Sequence, residues 1–556
     1  MSHSPIPPRP CSLNCPALFR EHPIFHSNGV DQPSSVVFRQ EHIMVSLQDN
    51  KYTASAQPLM AEGSRSRLAL DGKTVTSEES ASAGNGSNVS EADKLGWIVT
   101  ALFIVADMVG GGVVVMPVAF RNTGMICGSL YMVTICSIFL YTGYQLGVVW
   151  NIMQTRWKEY HDHCRRPFPE IALRSMGPHA QKCTTAIINV TLFGIAVVYL
   201  LLSAEIINSF LEYYGVHIGN CKTICVLAVV LAPFTFAKSP ADFWPVIVVA
   251  MATTTLAVLG IVTGVLMDTD TCYEHSVVQE FGDPIAMIGE IGAFLFAFSG
   301  HFVFPSIQHD MRDPTKFTRS VCLGFLMVVL LYMPLSIVAY RIYGDSLLIS
   351  VVYSVQTIQI QLFANAMIAV HCILTLVIVI NPVNQELEDY FNIAHHLGRG
   401  RIFIRCLLLA LVTFTALSMP SFIPVLNVVG SSTIPLGCVI LPSLFYLFTK
   451  AAEDYEWQKD KIPSLRDVIR RTPKATLAFN IFIMVASIVF GIVGTYFAVV
   501  EATKQNFQPP CYLQPLFETG ANAASGGHGL QMHCCGSSRN VYYNTSRLSE
   551  CNIKPE

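Results

Sequence analysis

The sequence predicts an all-α, polytopic membrane protein of about eleven transmembrane helices, built as a 5+5 inverted repeat with broken helices one and six and one extra helix. Three observations carry this. Of 556 residues, 13% are charged and 52% apolar, against roughly 25% charged in soluble domains, and mean hydropathy is +0.46. From Leu95 onward the chain falls into apolar runs near the length of about 20 residues that a bilayer demands. Two of those runs, the first and the sixth, are interrupted by glycine and proline. The composition argues against a soluble enzyme, a collagen-like fibre or a disordered scaffold, and the net charge of −3 gives no reason to expect a nucleic-acid partner. The partner it demands is the lipid bilayer; protein partners are not readable from it.

Residues 1–94 are rich in Ser, Pro, Asn and acids and hold no long apolar run, which reads as a disordered cytoplasmic tail. The start MSHSPIPPRPCSLNCP lacks the apolar core of a signal peptide. The transmembrane domain, residues 95–500, contains the eleven runs Trp97–Ala119, Met125–Val149, Thr184–Glu212, Thr223–Ala237, Phe243–Leu266, Ile285–Ile307, Ser320–Arg341, Thr357–Pro382, Ile402–Pro420, Pro424–Phe448 and Ala475–Val500. The fourth is short. Residues 501–556 form a Cys-containing tail, extracellular or lumenal.

Lys and Arg set the orientation. The loop after span two holds Arg156, Lys158, Arg165, Arg166, Arg174 and Lys182, and those after spans six, eight and ten are also basic, while the loop Asp268–Pro284 has neither residue. Basic loops and the N-terminus therefore face the cytoplasm, and an odd span number sends the C-terminus outside. Cys221 and Cys272 fall in exterior loops, with Cys511, Cys534, Cys535 and Cys551 in the exterior tail. Disulfides persist there, and a Cys221–Cys272 bridge is preferred to free thiols. Disulfides also suit His528, His533, Cys534 and Cys535 better than a metal site does. Asn544-Thr545-Ser546 is a glycosylation acceptor pattern at Asn544.

Span one reads IVADMVGGGVVVMPVAF, with Gly110, Gly111 and Gly112 before Pro117; span six reads GAFLFAFSGHFVFPSIQ, with Ser299, Gly300 and His301 before Pro305. Each glycine weakens a helix by about 1 kcal/mol relative to Ala, and proline removes a backbone donor. Freed backbone groups in a membrane must be buried in protein or line a cavity. Each break opens a block of five spans, and paired interruptions of this kind point to a transporter's midplane site. Glycine in membrane helices also serves close packing; three in a row exceed what a groove needs. The N–H groups after Gly111–Gly112 suit a carboxylate, and the carbonyls around Phe296–Ser299 suit an ammonium. The expected guest is an α-amino acid or a related zwitterion, held by Val109, Gly110, Gly111, Gly112, Phe298, Ser299 and Gly300.

Ionisable residues inside the membrane are expensive. Asp107 lies one turn before the triple glycine with no Lys or Arg at its depth in any span, so it reads as a carboxyl that exchanges a proton. His301, at the second break, reads as its partner in proton coupling. A capping Asp and a hydrogen-bonded core His are the structural alternatives. Glu205, toward the end of span three, reaches the interface by snorkelling. Glu290 is a vestibule candidate, and His371 and Thr375 share one face of span eight. No G-x-G-x-x-G, no G-x-x-x-x-G-K-[ST] and no H-E-x-x-H appears. An enzyme, an ATP-driven pump and an organic cofactor are therefore not expected; the coupling species is a proton or sodium.

The stretches VADMVGGGVVVMPVAFRNTG (Val105–Gly124), FAFSGHFVFPSIQHDMRDPTKFTRSV (Phe296–Val321) and NPVNQELEDYF (Asn381–Phe391) resemble segments of the amino acid/auxin permease family. The resemblance runs over Leu95–Val500 and is specific in these three stretches. It implies eleven helices, the first ten in the inverted-repeat fold of the sodium-coupled leucine transporter. It also implies uptake of amino acids or related compounds driven by protons or sodium. By match, the backbone around Val109–Gly112 and Phe298–His301 would hold the substrate, and an exterior disulfide is compatible with Cys221 and Cys272. Sodium-coupled members carry an Asn where this chain has Ala106. That departure removes an oxygen ligand and favours protons, although Asp107 beside it offers a substitute. Sodium coupling on the same fold, and an amino-acid sensor with little flux, are the alternatives.

Overall fold

Helix dominates because the chain must satisfy its backbone internally in lipid. The computed structural model describes residues 94–161, 164, 166–236, 244–273, 276–393, 398–453, 461–504 and 510–513. The chain divides into two units, Met1–Asn85 and Gly86–Glu556, the first wholly outside the described residues, as are most of the C-terminal tail and Asn544. In order the helices are α1 (Trp97–Met108), α2 (Gly111–Thr123), α3 (Met125–Arg156), α4 (Pro167–Met176), α5 (Pro178–Tyr213), α6 (Asn220–Leu231), α7 (Trp244–Met267), α8 (Thr269–Cys272), α9 (Pro284–Gly289) and α10 (Ile291–Ala297). They continue as α11 (Phe304–His309), α12 (Phe317–Tyr343), α13 (Val351–Ser354), α14 (Ile358–Tyr390), α15 (Arg399–Ser418), α16 (Phe422–Ser432), α17 (Leu441–Ala452), α18 (Leu465–Arg471) and α19 (Lys474–Lys504).

Among the described residues, eight helical segments are long and apolar enough to cross a membrane. The pair α1–α2, bent by 61° at its break, makes a ninth. The fourth and sixth expected spans are shorter apolar segments, Asn220–Phe236 and Pro284–Ala297. Large apolar side chains stay exposed along the outer faces of these helices, Leu330 at 61%, Phe482 at 68% and Ile492 at 67%. Such faces require lipid as their solvent, and the chain is an integral, multi-pass membrane protein.

Helices pair across the two blocks of five. α1 and α2 pack on α10 and α11, α3 on α12, α5 on α14, and α6 on α15. The two broken spans run antiparallel and are stitched at both ends. Before α1, the Leu95 N–H donates to the Asp310 carbonyl (3.0 Å), and the Arg312 N–H donates to the Leu95 carbonyl (2.9 Å). After α2, Gly282 donates to Thr123 (2.9 Å), Met125 to Gln279 (3.0 Å) and Ile126 to Glu280 (3.1 Å). Thus α1 lies along α11, and α2 along α10.

The cysteine pairing differs from expectation. Cys221 bonds Cys511, 290 residues away in sequence, not Cys272; Cys272 is disulfide-bonded elsewhere. The reason is the end of α15. The Asn220 side chain donates to the Pro420 carbonyl (3.3 Å), and the Cys511 N–H donates to the Leu417 carbonyl (2.8 Å). Both thiols are brought to that one corner.

Buried charge also departs from the loop reading. Arg401 and Arg405 of α15 converge on Glu388 of α14, all three 2% exposed or less. Arg405 Nε donates to Glu388 Oε1 at 2.5 Å, and Arg401 Nε lies 3.2 Å from the same oxygen. Arg405 also reaches the Thr235 carbonyl after α6. A buried carboxylate of this kind offsets the charge of the two buried guanidiniums that share it.

Candidate functional site: two facing helix breaks

At the first break, α1 ends at Met108, and Val109 and Gly110 leave helical geometry (φ/ψ −87°/82° and −133°/−110°) before α2 begins. The Gly110 N–H turns back to the Met108 carbonyl (3.1 Å), and Val113 donates to Gly110 (3.2 Å). The Met108 carbonyl, freed from the helix ladder, also accepts from the buried Tyr332 hydroxyl of α12 at 2.9 Å.

The three glycines are not equivalent. A Cβ on Gly110 would sit 2.5 Å from His371 Nε2 and 2.9 Å from the Tyr199 hydroxyl. On Gly112 it would meet the Tyr332 hydroxyl at 2.6 Å and the Ala297 Cβ at 3.0 Å. On Gly111 the nearest atom would be 3.7 Å away, an ordinary contact. Gly110 and Gly112 are therefore glycine because other side chains fill their space.

At the second break, α10 ends at Ala297 and helix resumes at Phe304. Ser299 folds back on the Phe296 carbonyl through its N–H (3.1 Å) and its hydroxyl (2.7 Å). Phe298 packs between Phe325 and Tyr332, with ring centroids 6.4 and 6.0 Å away. A Cβ on Gly300 would lie 2.9 Å from Asp107 Oδ2, so the two breaks touch through Asp107 and Gly300 and again through Gly112 and Ala297.

Asp107 keeps partial exposure, and among the described residues no hydrogen bond or ion pair reaches its carboxyl. His301 turns toward α3. Its Nε2 faces the Phe139 carbonyl and Thr142 Oγ1, both at 3.0 Å, and its ring packs on Phe304, Phe139 and Phe325. A carbonyl only accepts, so Nε2 carries a hydrogen. The hydrogen bonds of His301 thus go to α3, and Asp107 is met by Gly300 instead.

His371 and Thr375 arrive at the first break. His371 is 2% exposed; its Nδ1 faces Thr254 Oγ1 (2.6 Å) and the Ala250 carbonyl (3.1 Å) of α7, and its Nε2 faces Thr375 Oγ1 (3.2 Å). With Gly110, Val113, Thr254, Ala257 and Ile368 it lines a cavity with room for about one water molecule. Glu205 and Glu290 lie apart from the breaks. Glu205 is within electrostatic reach of Tyr353 on α13, and Glu290 accepts from the Asn122 amide at 2.6 Å, joining the start of α10 to the end of α2.

Tyr199, Tyr332 and Thr254 were not anticipated. Their signal is a hydroxyl inside an otherwise aliphatic run, as in AVVYLLL and VLLYMPL. A buried tyrosine hydroxyl seeks a partner, and here the partners are the broken backbone and the ring beside it.

The geometry invites comparison with known proteins. Residues 93–497 match the family model described as "Transmembrane amino acid transporter protein". "Amino acid transporter AVT1D" of Arabidopsis thaliana is 28% identical over 222 residues, 39% of this chain and 36% of that protein. "Amino acid transporter AVT3B" of Arabidopsis thaliana is 22% identical over 235 residues, 42% of this chain and 52% of that one. The chain thus spans about a third to a half of the length of these two. "Amino acid transporter ANT1" of Arabidopsis thaliana is 20% identical over 436 residues, 74% of this chain and 94% of that protein. The solved structure of Mhp1 in its inward-facing conformation aligns over 74% of this chain and 90% of that one, with TM-score 0.46 and 13% identity.

Proposed function

From the premise that the chain belongs to the transmembrane amino acid transporter family, we propose that it is a secondary carrier moving α-amino acids across a membrane in symport with protons. One observation carries the reading: the N-terminal end of α2 and the C-terminal end of α10 lie side by side, so close that a Cβ on Gly112 would stand 3.0 Å from the Ala297 Cβ. The first end offers backbone N–H groups and partial positive charge, the second offers carbonyls and partial negative charge. A carboxylate and an ammonium separated by one carbon match that pair.

The carboxylate is assigned to the N–H groups of Gly111 and Gly112, and the ammonium to the carbonyls around Phe296–Ser299. The described cavity is too small for an amino acid, so loading requires the two broken spans to part. Asp107, partly exposed and reached by no cation or donor among the described residues, is the carboxyl that exchanges protons between the break and the aqueous path. His301 holds the 298–303 segment against α3. The basic loops and the N-terminus are assigned to the cytoplasm.

The test is uptake of individually labelled amino acids by proteoliposomes containing the full chain. Uptake should follow an inside-alkaline gradient without sodium. Uptake that requires a sodium gradient at equal pH would overturn proton coupling. Saturable binding with no uptake at any gradient would overturn the carrier and favour a sensor.

A further inference from the structure

We infer that the coupling proton is bound at Nε2 of His371. The inference rests on the proton-coupled reading above and gives that proton an address.

The hydrogen-bond arithmetic fixes the ring. The Ala250 carbonyl only accepts, so the nitrogen facing it, Nδ1, carries a hydrogen. Thr254 spends its own hydroxyl hydrogen on the same carbonyl, 2.9 Å away, and so receives from Nδ1 at 2.6 Å. In the neutral ring the lone pair is then on Nε2 and accepts from the Thr375 hydroxyl at 3.2 Å. That nitrogen is aimed at the helix break, 2.5 Å from where a Gly110 Cβ would stand, and the ring borders the water-sized cavity.

A proton that enters through the Asp107 carboxyl ends on Nε2 as an N–H bond, and Asp107 takes up a replacement proton from the aqueous path, returning to the state it had before the transfer. The Thr375 hydroxyl reverses, accepting from Nε2 and giving its hydrogen to a carbonyl of its own helix. The ring now carries a full positive charge beside the start of α2, where the substrate carboxylate is assigned. Proton and carboxylate thus favour each other's binding, which is what symport requires.

The same contacts disfavour sodium at this place. The oxygens bonded to the imidazole are the Ala250 carbonyl, Thr254 Oγ1 and Thr375 Oγ1, and the Tyr199 hydroxyl beside Gly110 adds a fourth. A hard cation wants about six oxygens. The groups facing His371 leave it as the site of charge change. From α5 comes Tyr199, with ring centroids 6.4 Å apart. From α7 come the neutral Ala250, Thr254 and Ala257, and from its own helix Cys372 and Thr375. From α1–α2 come Gly110 and Val113, with Asp107 one turn earlier. No lysine or arginine is among them.

The test measures ligand-induced thermal stabilisation of the purified full chain between about pH 5 and about pH 8. The probes are L-alanine, L-leucine, L-glutamine and L-histidine, one at a time, alongside proteoliposome flux. In the wild type, apparent affinity should rise on acidification by up to about tenfold per pH unit, the limit for one linked proton. His371→Gln should flatten the profile to within about twofold. Thr254→Val, which keeps the imidazole but deletes one acceptor, should displace the profile toward lower pH by about 0.7 units, the difference between hydrogen bonds to charged and neutral groups; this arm decides the matter if the Gln variant does not fold. A wild-type slope in His371→Gln, an unmoved profile in Thr254→Val, or no pH slope in the wild type overturns the assignment. Proton-driven flux surviving in His371→Gln removes the assignment and leaves the carrier. A pH-linked affinity lost in His371→Gln, without flux in the wild type, removes the carrier and leaves the assignment.

Discussion

Replacing Gly110 or Gly111 by alanine asks the two neighbouring glycines for opposite results. At Gly110 the new methyl would stand 2.5 Å from His371 Nε2 and 2.9 Å from the Tyr199 hydroxyl. Ordinary contact between heavy atoms is about 3.5–4.0 Å, so the ring must retreat by about 1 Å. It cannot do so freely, because Nδ1 is anchored to Thr254 and Ala250. Overpacking of this kind costs about 1–3 kcal/mol, equivalent to about 5- to 150-fold in an equilibrium constant. At Gly111 the nearest atom is 3.7 Å away, and Ala is the better helix former by about 1 kcal/mol. Gly111→Ala should therefore melt no lower than wild type, and Gly110→Ala should melt lower. The assay is the melting temperature of the purified chain. Equal losses in both variants, or a normal Gly110→Ala, would refute the assignment of Gly110 to the His371–Tyr199 contact.

Asp107→Asn should leave a folded chain whose uptake no longer accelerates on external acidification, since Asn mimics only the protonated carboxyl; an unchanged pH–uptake profile removes Asp107 from proton exchange. Glu388→Gln removes the carboxylate shared by two buried guanidiniums and should cost about 3–5 kcal/mol, read as a lowered melting temperature. Glu386→Gln, which breaks the exposed pair with Arg166, should cost about 1 kcal/mol or less, so similar melting shifts would contradict the buried cluster. Peptide mapping without reduction should recover Cys221 linked to Cys511; recovery of a Cys221–Cys272 peptide would reject the pairing.

How much of this was legible in the sequence depends on the physical range of each signal. Span positions and the two breaks are local properties: apolar runs mark helices, and Gly110 and Gly300 mark where they fail, whereas Gly111, Gly112 and Pro305 already belong to the first turns of α2 and α11. The unwound stretch between Ala297 and Phe304 falls on the glycine expected to break it. Pairwise facts across hundreds of residues leave no such trace. Cys221 has several cysteines within its formal reach in the loops and tail that the charge pattern assigns to one side, and only the corner formed by α6, α15 and Pro420 selects Cys511. Arg401 looks like a cytoplasmic loop charge by position, yet α15 begins at Arg399 and turns it inward onto Glu388. Tyr199 and Tyr332 are unremarkable in a linear reading, because their value lies in hydroxyls delivered to another helix's broken backbone.

The antiparallel course of the two interrupted spans has a chemical consequence that neither break possesses alone. One break sets the C-terminus of α1 against the N-terminus of α2 within the same span, so its opposite partial charges point into each other across Val109 and Gly110. Placing a second, inverted break alongside offers each end a neighbour of opposite sign from a different helix: α2 meets α10, and α1 meets α11. Because these neighbours belong to separate spans, relative motion of the spans changes their spacing, and the zwitterion proposed to bridge α2 and α10 would be held only while they stay close. Binding strength and helix separation are then one variable. Such a coupling would let a carrier release its cargo by rocking rather than by weakening any single contact. In the proposed symport a proton on His371 would strengthen the α2 side of that grip, so loss of the proton and separation of the spans would act in the same direction.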